Sequence, residues 1–227
     1  MTPERNIVAI GGAAVADEAA PLLAFLLGLA RAERPRVVFV PTASGDAREA
    51  VVRFYEAFAR FDCRVAHVEL FGRPERERVE RALLGADVVY VGGGNTANML
   101  AIWRVHGVDT VLRRAWERGV VLGGTSAGAN CWFEACTTDS FGPIAPLDDG
   151  LGFLRGSFCP HYDAEPERRP TYLRLVAAGF PPGYAAEDGA ALHFRGLELV
   201  EAVAAGGARA LRVGSDGETA LDMRVLG

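Results

Sequence analysis

The sequence predicts an α/β fold built on a mostly parallel sheet, and three observations point there. Short apolar runs alternate with segments of helical periodicity through the first 125 residues. Glycine-rich turns follow the runs rather than the helices. After Gly156 the rhythm changes to short strands separated by tight turns. Alternating strands and helices call for right-handed crossovers and a sheet covered on both faces. The closing series of turns calls for antiparallel strands that finish the sheet.

Each element has its own signal. Asn6–Ile10 is an apolar run ending in Gly11-Gly12, and leucines at helical spacing fill 17–31, with Glu18 near the start. Arg36–Val40 is a second strand, running into Pro41-Thr42-Ala43-Ser44-Gly45. Apolar positions 51, 52, 54, 55 and 58 define a helix over 48–61. Strands follow at 65–70, 87–91 and 120–122, with helices at 75–84, 97–103 and 108–118. Loops after the carboxyl ends of parallel strands gather on one edge, where open α/β sheets bind ligands. Gly12, Ser44, Gly93 and Ser126 should therefore lie close together. Beyond Gly156, a helix is expected over 166–178 and strands at 184–186, 191–194, 197–203, 208–213 and 219–225, with turns such as Asp188-Gly189 and Gly206-Gly207 between them. No linker or repeat interrupts the chain, which reads as one domain, 1–227.

Bulk properties narrow the function. The 227 residues are 50% hydrophobic and 23% charged, with a net charge of −5. No basic stripe is visible, so nucleic acid is not expected as a partner. No apolar run approaches the ~20 residues of a membrane span, and the start of the chain lacks the apolar stretch of a signal peptide. The four cysteines, 63, 131, 136 and 159, form no C-x-x-C pair. They read as reduced thiols of a cytoplasmic protein, with the closest pair at the start of a helix, and no metal site is expected.

The chemistry concentrates at Gly124-Thr125-Ser126-Ala127-Gly128, a strand-to-helix G-x-S-x-G turn. Small neighbours allow the backbone to bend sharply at Ser126, exposing its hydroxyl and aiming the Ala127 N–H at an oxyanion. A plain connecting turn can share the pattern, so partners decide its meaning. Of four histidines, His67, His106 and His193 read as strand or surface residues. His161 follows Cys159-Pro160 at a strand end and opens a polar loop, which suits a fixed base. Glu187-Asp188 offers a carboxylate pair to orient it, while Asp188 with His193 is a lower-ranked competitor. The loop Gly92-Gly93-Gly94-Asn95-Thr96 suits a phosphate cradle, a second oxyanion donor or a close-packed turn. It lacks the spacing of the nucleotide-binding fingerprints.

Taken together, Val91-Gly92-Gly93-Gly94-Asn95-Thr96, Gly124-Thr125-Ser126-Ala127-Gly128-Ala129 and Pro160-His161 resemble the peptidase E and cyanophycinase family of serine peptidases. The resemblance implies a flavodoxin-like three-layer sandwich, related to the class I glutamine amidotransferase fold. It implies Ser126 as nucleophile, His161 as base and Asp188, with Glu187 as the alternative, as the third member. Gly93, with Gly94 beside it, and Ala127 match the oxyanion hole. Asn95 of the matched loop and Arg169, which with Arg168 as its neighbour roughly matches an arginine of the substrate loop, are the implied substrate-binding residues. The family implies an exopeptidase that removes N-terminal aspartate from short peptides without cofactor. A cyanophycinase-like or isoaspartyl-peptide hydrolase, an esterase and a non-catalytic small-molecule binding protein are the competing readings. The apolar C-terminal strands leave room for a homodimer.

Overall fold

A computed structural model describes residues 3–12, 16–72 and 74–227, with the side chains of 16–18, Glu18 among them, outside the description. Met1 and Thr2 of the predicted leader-free start also lie outside the described residues. The chain alternates strand and helix as far as Thr125. The order is β1 (Asn6–Ile10), α1 (Ala16–Gly28), β2 (Arg36–Val40), α2 (Arg48–Phe58), β3 (Arg64–His67), α3 (Arg76–Leu84) and β4 (Val88–Val91). Then come α4 (Thr96–His106), α5 (Val108–Glu117) and β5 (Val121–Thr125). The remainder is α6 (Ala127–Asn130), β6 (Phe133–Thr138), β7 (Ala145–Leu147), β8 (Leu154–Cys159) and α7 (Arg168–Ala177). Six strands close the chain: β9 (Gly183–Ala186), β10 (Ala190–Arg195), β11 (Glu198–Ala205), β12 (Ala210–Gly214), β13 (Gly217–Ala220) and β14 (Met223–Leu226).

Eight strands form the main sheet in the order β14-β11-β10-β1-β5-β4-β2-β3. The five strands β1 to β5 pair in parallel, and β10 joins β1 antiparallel. Successive side chains of a strand point to opposite faces, so each strand divides between two cores. Ile7, Ala9, Val38, Val40 and Leu122 join a core with α3, α4 and α5. Val8, Ile10, Val37, Phe39 and Val121 join another with Leu22, Leu23 and Leu26 of α1 and Phe54 and Phe58 of α2. Burial on both faces is why these strands are continuous apolar runs rather than alternating ones. Each fully buried leucine or valine contributes about 1.5–3 kcal/mol relative to exposure.

The C-terminal strands do not finish a single sheet. Six strands form a second sheet in the order β13-β12-β9-β8-β6-β7. Its inner face shares the α3–α5 core through Phe133, Leu154 and Phe158, and α7 covers the other side through Tyr172 and Val176. The predicted strand over 219–225 is two strands, β13 and β14, one in each sheet. The helix expected after Ser126 lasts only four residues before the chain extends as β6, so Cys136 lies on a strand. All four cysteines are free.

The link between the sheets matters most for function. β9 belongs to the second sheet and β10 to the main one, so Glu187-Asp188-Gly189 crosses from one to the other. The crossing lands beside the carboxyl end of β1, where Gly12 bridges to Asp188. Among the described residues, no helix is long and apolar enough to cross a membrane.

Candidate active site

Ser126 sits at the carboxyl end of β5 with φ 56° and ψ −116°. Only Asp46, Ser126 and His161 among the described non-glycine residues have positive φ. For an L-residue that conformation is costly and persists only where surroundings enforce it. Enforcement begins with small neighbours. A Cβ on Gly124 would lie 2.4 Å from the Gly128 carbonyl oxygen, and one on Gly128 would lie 2.2 Å from that of Val91. The two glycines thus let strand, turn and short helix close on one another. The Ser126 N–H donates to the Ile10 carbonyl at 3.1 Å, while the Ser126 carbonyl accepts from Ala129 and Asn130 at 2.9 Å each.

His161 arrives from the other sheet, two residues beyond β8. Its N–H donates to the carbonyl of Gly11 at 3.3 Å. Ser126 and His161 are thereby tied to consecutive carbonyls at the end of β1. The imidazole Nδ1 is 2.7 Å from Asp188 Oδ1, with both side chains 22% exposed. With the carboxylate ionised, Nδ1 carries the proton and Nε2 is left as the basic nitrogen.

Gly12 is the floor beneath this pair. A Cβ there would stand 1.9 Å from Asp188 Oδ1 and 2.5 Å from His161 Nδ1. Its carbonyl accepts the N–H of Gly189 at 2.9 Å, and Asp163 Oδ1 accepts that of Asp188 at 3.1 Å. Sequence reasoning placed Gly12 at this edge but gave it no task, and it passed over Asp163. Nothing local marks Asp163, two residues past the histidine.

Glu187 does not face His161. It is 6% exposed and receives Arg209 through Nη2 at 2.6 Å, Nε at 2.9 Å and the backbone N–H at 2.8 Å. Alternation along an extended chain sends adjacent side chains to opposite sides, so Asp188 meets the imidazole while Glu187 locks the crossing to the start of β12. His193 does not meet Asp188 either. Its Nε2 is 3.0 Å from Asn6 Oδ1 and its Nδ1 3.3 Å from Glu201, and burial lowers its pKa.

The glycine loop closes the near side. A Cβ on Gly93 would come 3.2 Å from Ser126 Cβ, so this backbone lies directly against the serine. Gly94 has a packing duty: φ is 136°, and a Cβ would lie 2.2 Å from the Ala43 carbonyl oxygen. Ser44 and Gly94 thus meet, completing the convergence expected from the sequence. Asn95 caps α4, its Oδ1 accepting from Asn98 N–H at 2.8 Å and its Nδ2 donating to Ser140 O at 2.9 Å.

The arginines of the loop after His161 are both in ion pairs. Arg169, on the outer face of α7, is bonded to Glu218, which also accepts the Tyr162 hydroxyl at 2.6 Å. Arg168 is 3% exposed and paired to Glu165 through Nε at 2.7 Å and Nη2 at 3.2 Å. The three buried cysteines are poorly suited to act as thiolates. Burial pushes the Cys136 and Cys159 thiols up to about 12 and Cys131 well above its usual value. Among the described residues no group of three or more histidine, cysteine or carboxylate side chains could hold a metal ion.

Known proteins share this arrangement of elements. The model of peptidase family S51 matches residues 7–201. The Bacillus subtilis (strain 168) uncharacterized peptidase YgaJ is 48% identical over 213 residues, which are 92% of either chain. Peptidase E of Streptomyces coelicolor is 32% identical over 134 residues, 58% of this chain and 53% of that one. A solved peptidase from an acI-B1 Actinobacterium superposes with a TM-score of 0.69 at 16% identity, covering 98% of this chain and 95% of its own. That likeness is one of fold. The family match runs from β1 into β11 and includes Ser126, His161 and Asp188, and the chain belongs to peptidase family S51, a family of serine peptidases.

Proposed function

We propose that the chain is an exopeptidase that cleaves short peptides after their first residue, with Ser126, His161 and Asp188 as its triad. The observation carrying this reading is the 2.7 Å contact between His161 Nδ1 and Asp188 Oδ1, with His161 tied to the carbonyl next to the one that holds a serine at φ 56°. Asp188 fixes the tautomer, so Nε2 takes the Ser126 proton as Oγ attacks the carbonyl carbon. The N–H groups of Gly93 and Ala127 receive the developing oxyanion. The protonated imidazole then delivers its proton to the leaving amine, breaking the C–N bond. Water, deprotonated by the same Nε2, hydrolyses the acyl-enzyme. Four free cysteines agree with a cytoplasmic setting for this chemistry.

Resemblance to peptidase E implies aspartate as the residue removed. The charge arrangement here supports the reaction more than that preference, because Arg168 and Arg169 already face carboxylates. The test of the reaction is Ser126→Ala. Turnover of a dipeptide panel should fall on the order of 10⁵–10⁶-fold with the melting curve preserved, and a fluorophosphonate should label wild type but not the variant. A variant that keeps its turnover removes the nucleophile assignment.

A further inference from the structure

His161 and Asp188 each have a chain neighbour that is gripped by the same hairpin. Glu187 precedes Asp188 and is held by Arg209, the residue that leads into β12. Tyr162 follows His161, and its hydroxyl donates to Oε2 of Glu218 on β13 at 2.6 Å. β12 and β13 pair antiparallel from Leu211 opposite Ala220 to Gly214 opposite Gly217. Glu218 is 56 residues from Tyr162 in the chain, and no motif marks it.

His161 needs such support. Its φ of 52° lies in the left-handed region, which a residue with a side chain keeps only where its surroundings enforce it. Its own backbone bonds are long: 3.3 Å to the Gly11 carbonyl and 3.2 Å from the Glu165 N–H. The next residue is held more firmly. Tyr162 is buried, its N–H donates to the Ala186 carbonyl at 3.1 Å, and its ring meets that of Tyr172 edge-on. Burial pushes its phenol pKa up, so the hydroxyl keeps its proton and serves as a donor. A ring pinned at its far end fixes the Tyr162 backbone. The planar peptide bond passes that constraint to His161.

Glu218 suits the task. Its side chain is 15% exposed, and Arg169 occupies Oε1, which leaves Oε2 to the phenol. A hydroxyl bonded to a carboxylate is shorter and stronger than a neutral pair. The bond to Arg169 alone would only attach the hairpin to α7, and that arginine is 54% exposed, so the attachment contributes little.

Resting on the serine-peptidase reading, we propose that Glu218 is a positioning residue for the base. By accepting the Tyr162 hydroxyl it holds the left-handed turn at His161 and keeps the imidazole on Asp188 at the end of β1.

The experiment uses the whole chain with Glu218→Ala, Glu218→Gln and Tyr162→Phe, each assayed well below its melting temperature. It reads kcat and KM on a dipeptide that wild type cleaves, and the rate of fluorophosphonate labelling. Glu218→Ala removes the acceptor and Tyr162→Phe the donor. Each should lower kcat and the labelling rate about tenfold or more, because a misplacement near 1 Å costs on the order of 10²-fold. KM should stay within about twofold, since substrate contacts are untouched. Glutamine still offers the phenol an oxygen, so Glu218→Gln should return to within about threefold of wild type. Tyr162→Phe keeps the buried ring and decides the matter should Glu218→Ala not fold. Wild-type kcat and labelling in Tyr162→Phe overturn the role even if the melting temperature falls, because a purely structural bond would show there alone. A glutamine variant no faster than a folded alanine variant also overturns it. A wild type that neither labels nor cleaves overturns the serine-peptidase reading itself.

Discussion

The nucleophile and its base are built in opposite ways. Ser126 takes its bend from its own neighbours: Gly124 and Gly128 touch, and the carbonyl of Ser126 is capped by residues three and four positions on, with Ile10 and Val91 of adjoining strands completing the support. His161 and Asp188 are 27 residues apart and come from segments bordering the second sheet. They are held by Gly11, Gly12 and Asp163, none of them within 20 residues of both. A local turn can be read as a motif. A pair that leaves neighbouring strands of the second sheet and docks on the end of β1 depends on both sheets being in place.

Substitutions on the long-range side sharpen that contrast. Asp188→Asn keeps the shape but removes the charge that selects the imidazole tautomer, so kcat should fall about 10⁴-fold while the urea midpoint barely moves. Steady-state kinetics beside a denaturation curve decide it, and an unchanged kcat would detach Asp188 from the mechanism. Gly12→Ala tests the floor. Its methyl would overlap the carboxylate and the imidazole, so the pair must separate. A displacement near 1 Å costs about 10²-fold in rate, and fluorophosphonate labelling should slow with it.

Glu187→Gln separates the two carboxylates of the crossing. The charge assistance of the bonds to Arg209 is lost, but the arginine is 59% exposed and solvent screens the pair, which keeps the cost small. The urea midpoint should drop, with kcat changing less than about threefold. A loss as large as that from Asp188→Asn would mean that Glu187 orients the base.

The smallest effect is expected at His193. Burial disfavours its charged form, so its pKa in the fold lies below the ordinary 6.5. As pH falls through about 6.5, the unfolded chain takes up a proton that the folded one resists. Stability therefore decreases on the acid side and is unaffected above. His193→Gln should flatten that slope in thermal melts taken at successive pH values, and an unaltered slope would assign the acid sensitivity elsewhere.

What the sequence disclosed follows the same division. The strands and helices up to Thr125 were legible because each carries its own periodicity, and the G-x-S-x-G turn because its steric requirements are local. The second sheet was not. Phe133–Thr138 mixes Glu134, Thr137 and Thr138 with apolar residues, and its pairing partners Leu154–Cys159 lie far along the chain. The turns at Asp188-Gly189 and Gly206-Gly207 read as links within one antiparallel series, yet both pass between sheets, from β9 to β10 and from β11 to β12. Choosing Asp188 over Glu187 depended on a one-residue alternation that composition cannot reveal. The pairing of Arg169 with Glu218, 49 residues away, had no sequence signal.

The crossing at Glu187-Asp188-Gly189 has an operational consequence. His161 and Asp188 leave neighbouring strands of the second sheet, so any slippage of one layer against the other carries the pair away from Ser126 on the main sheet before a single strand needs to fray. Catalytic output is thus a strain gauge for the seam, and on gentle heating it should vanish ahead of the loss of helical signal.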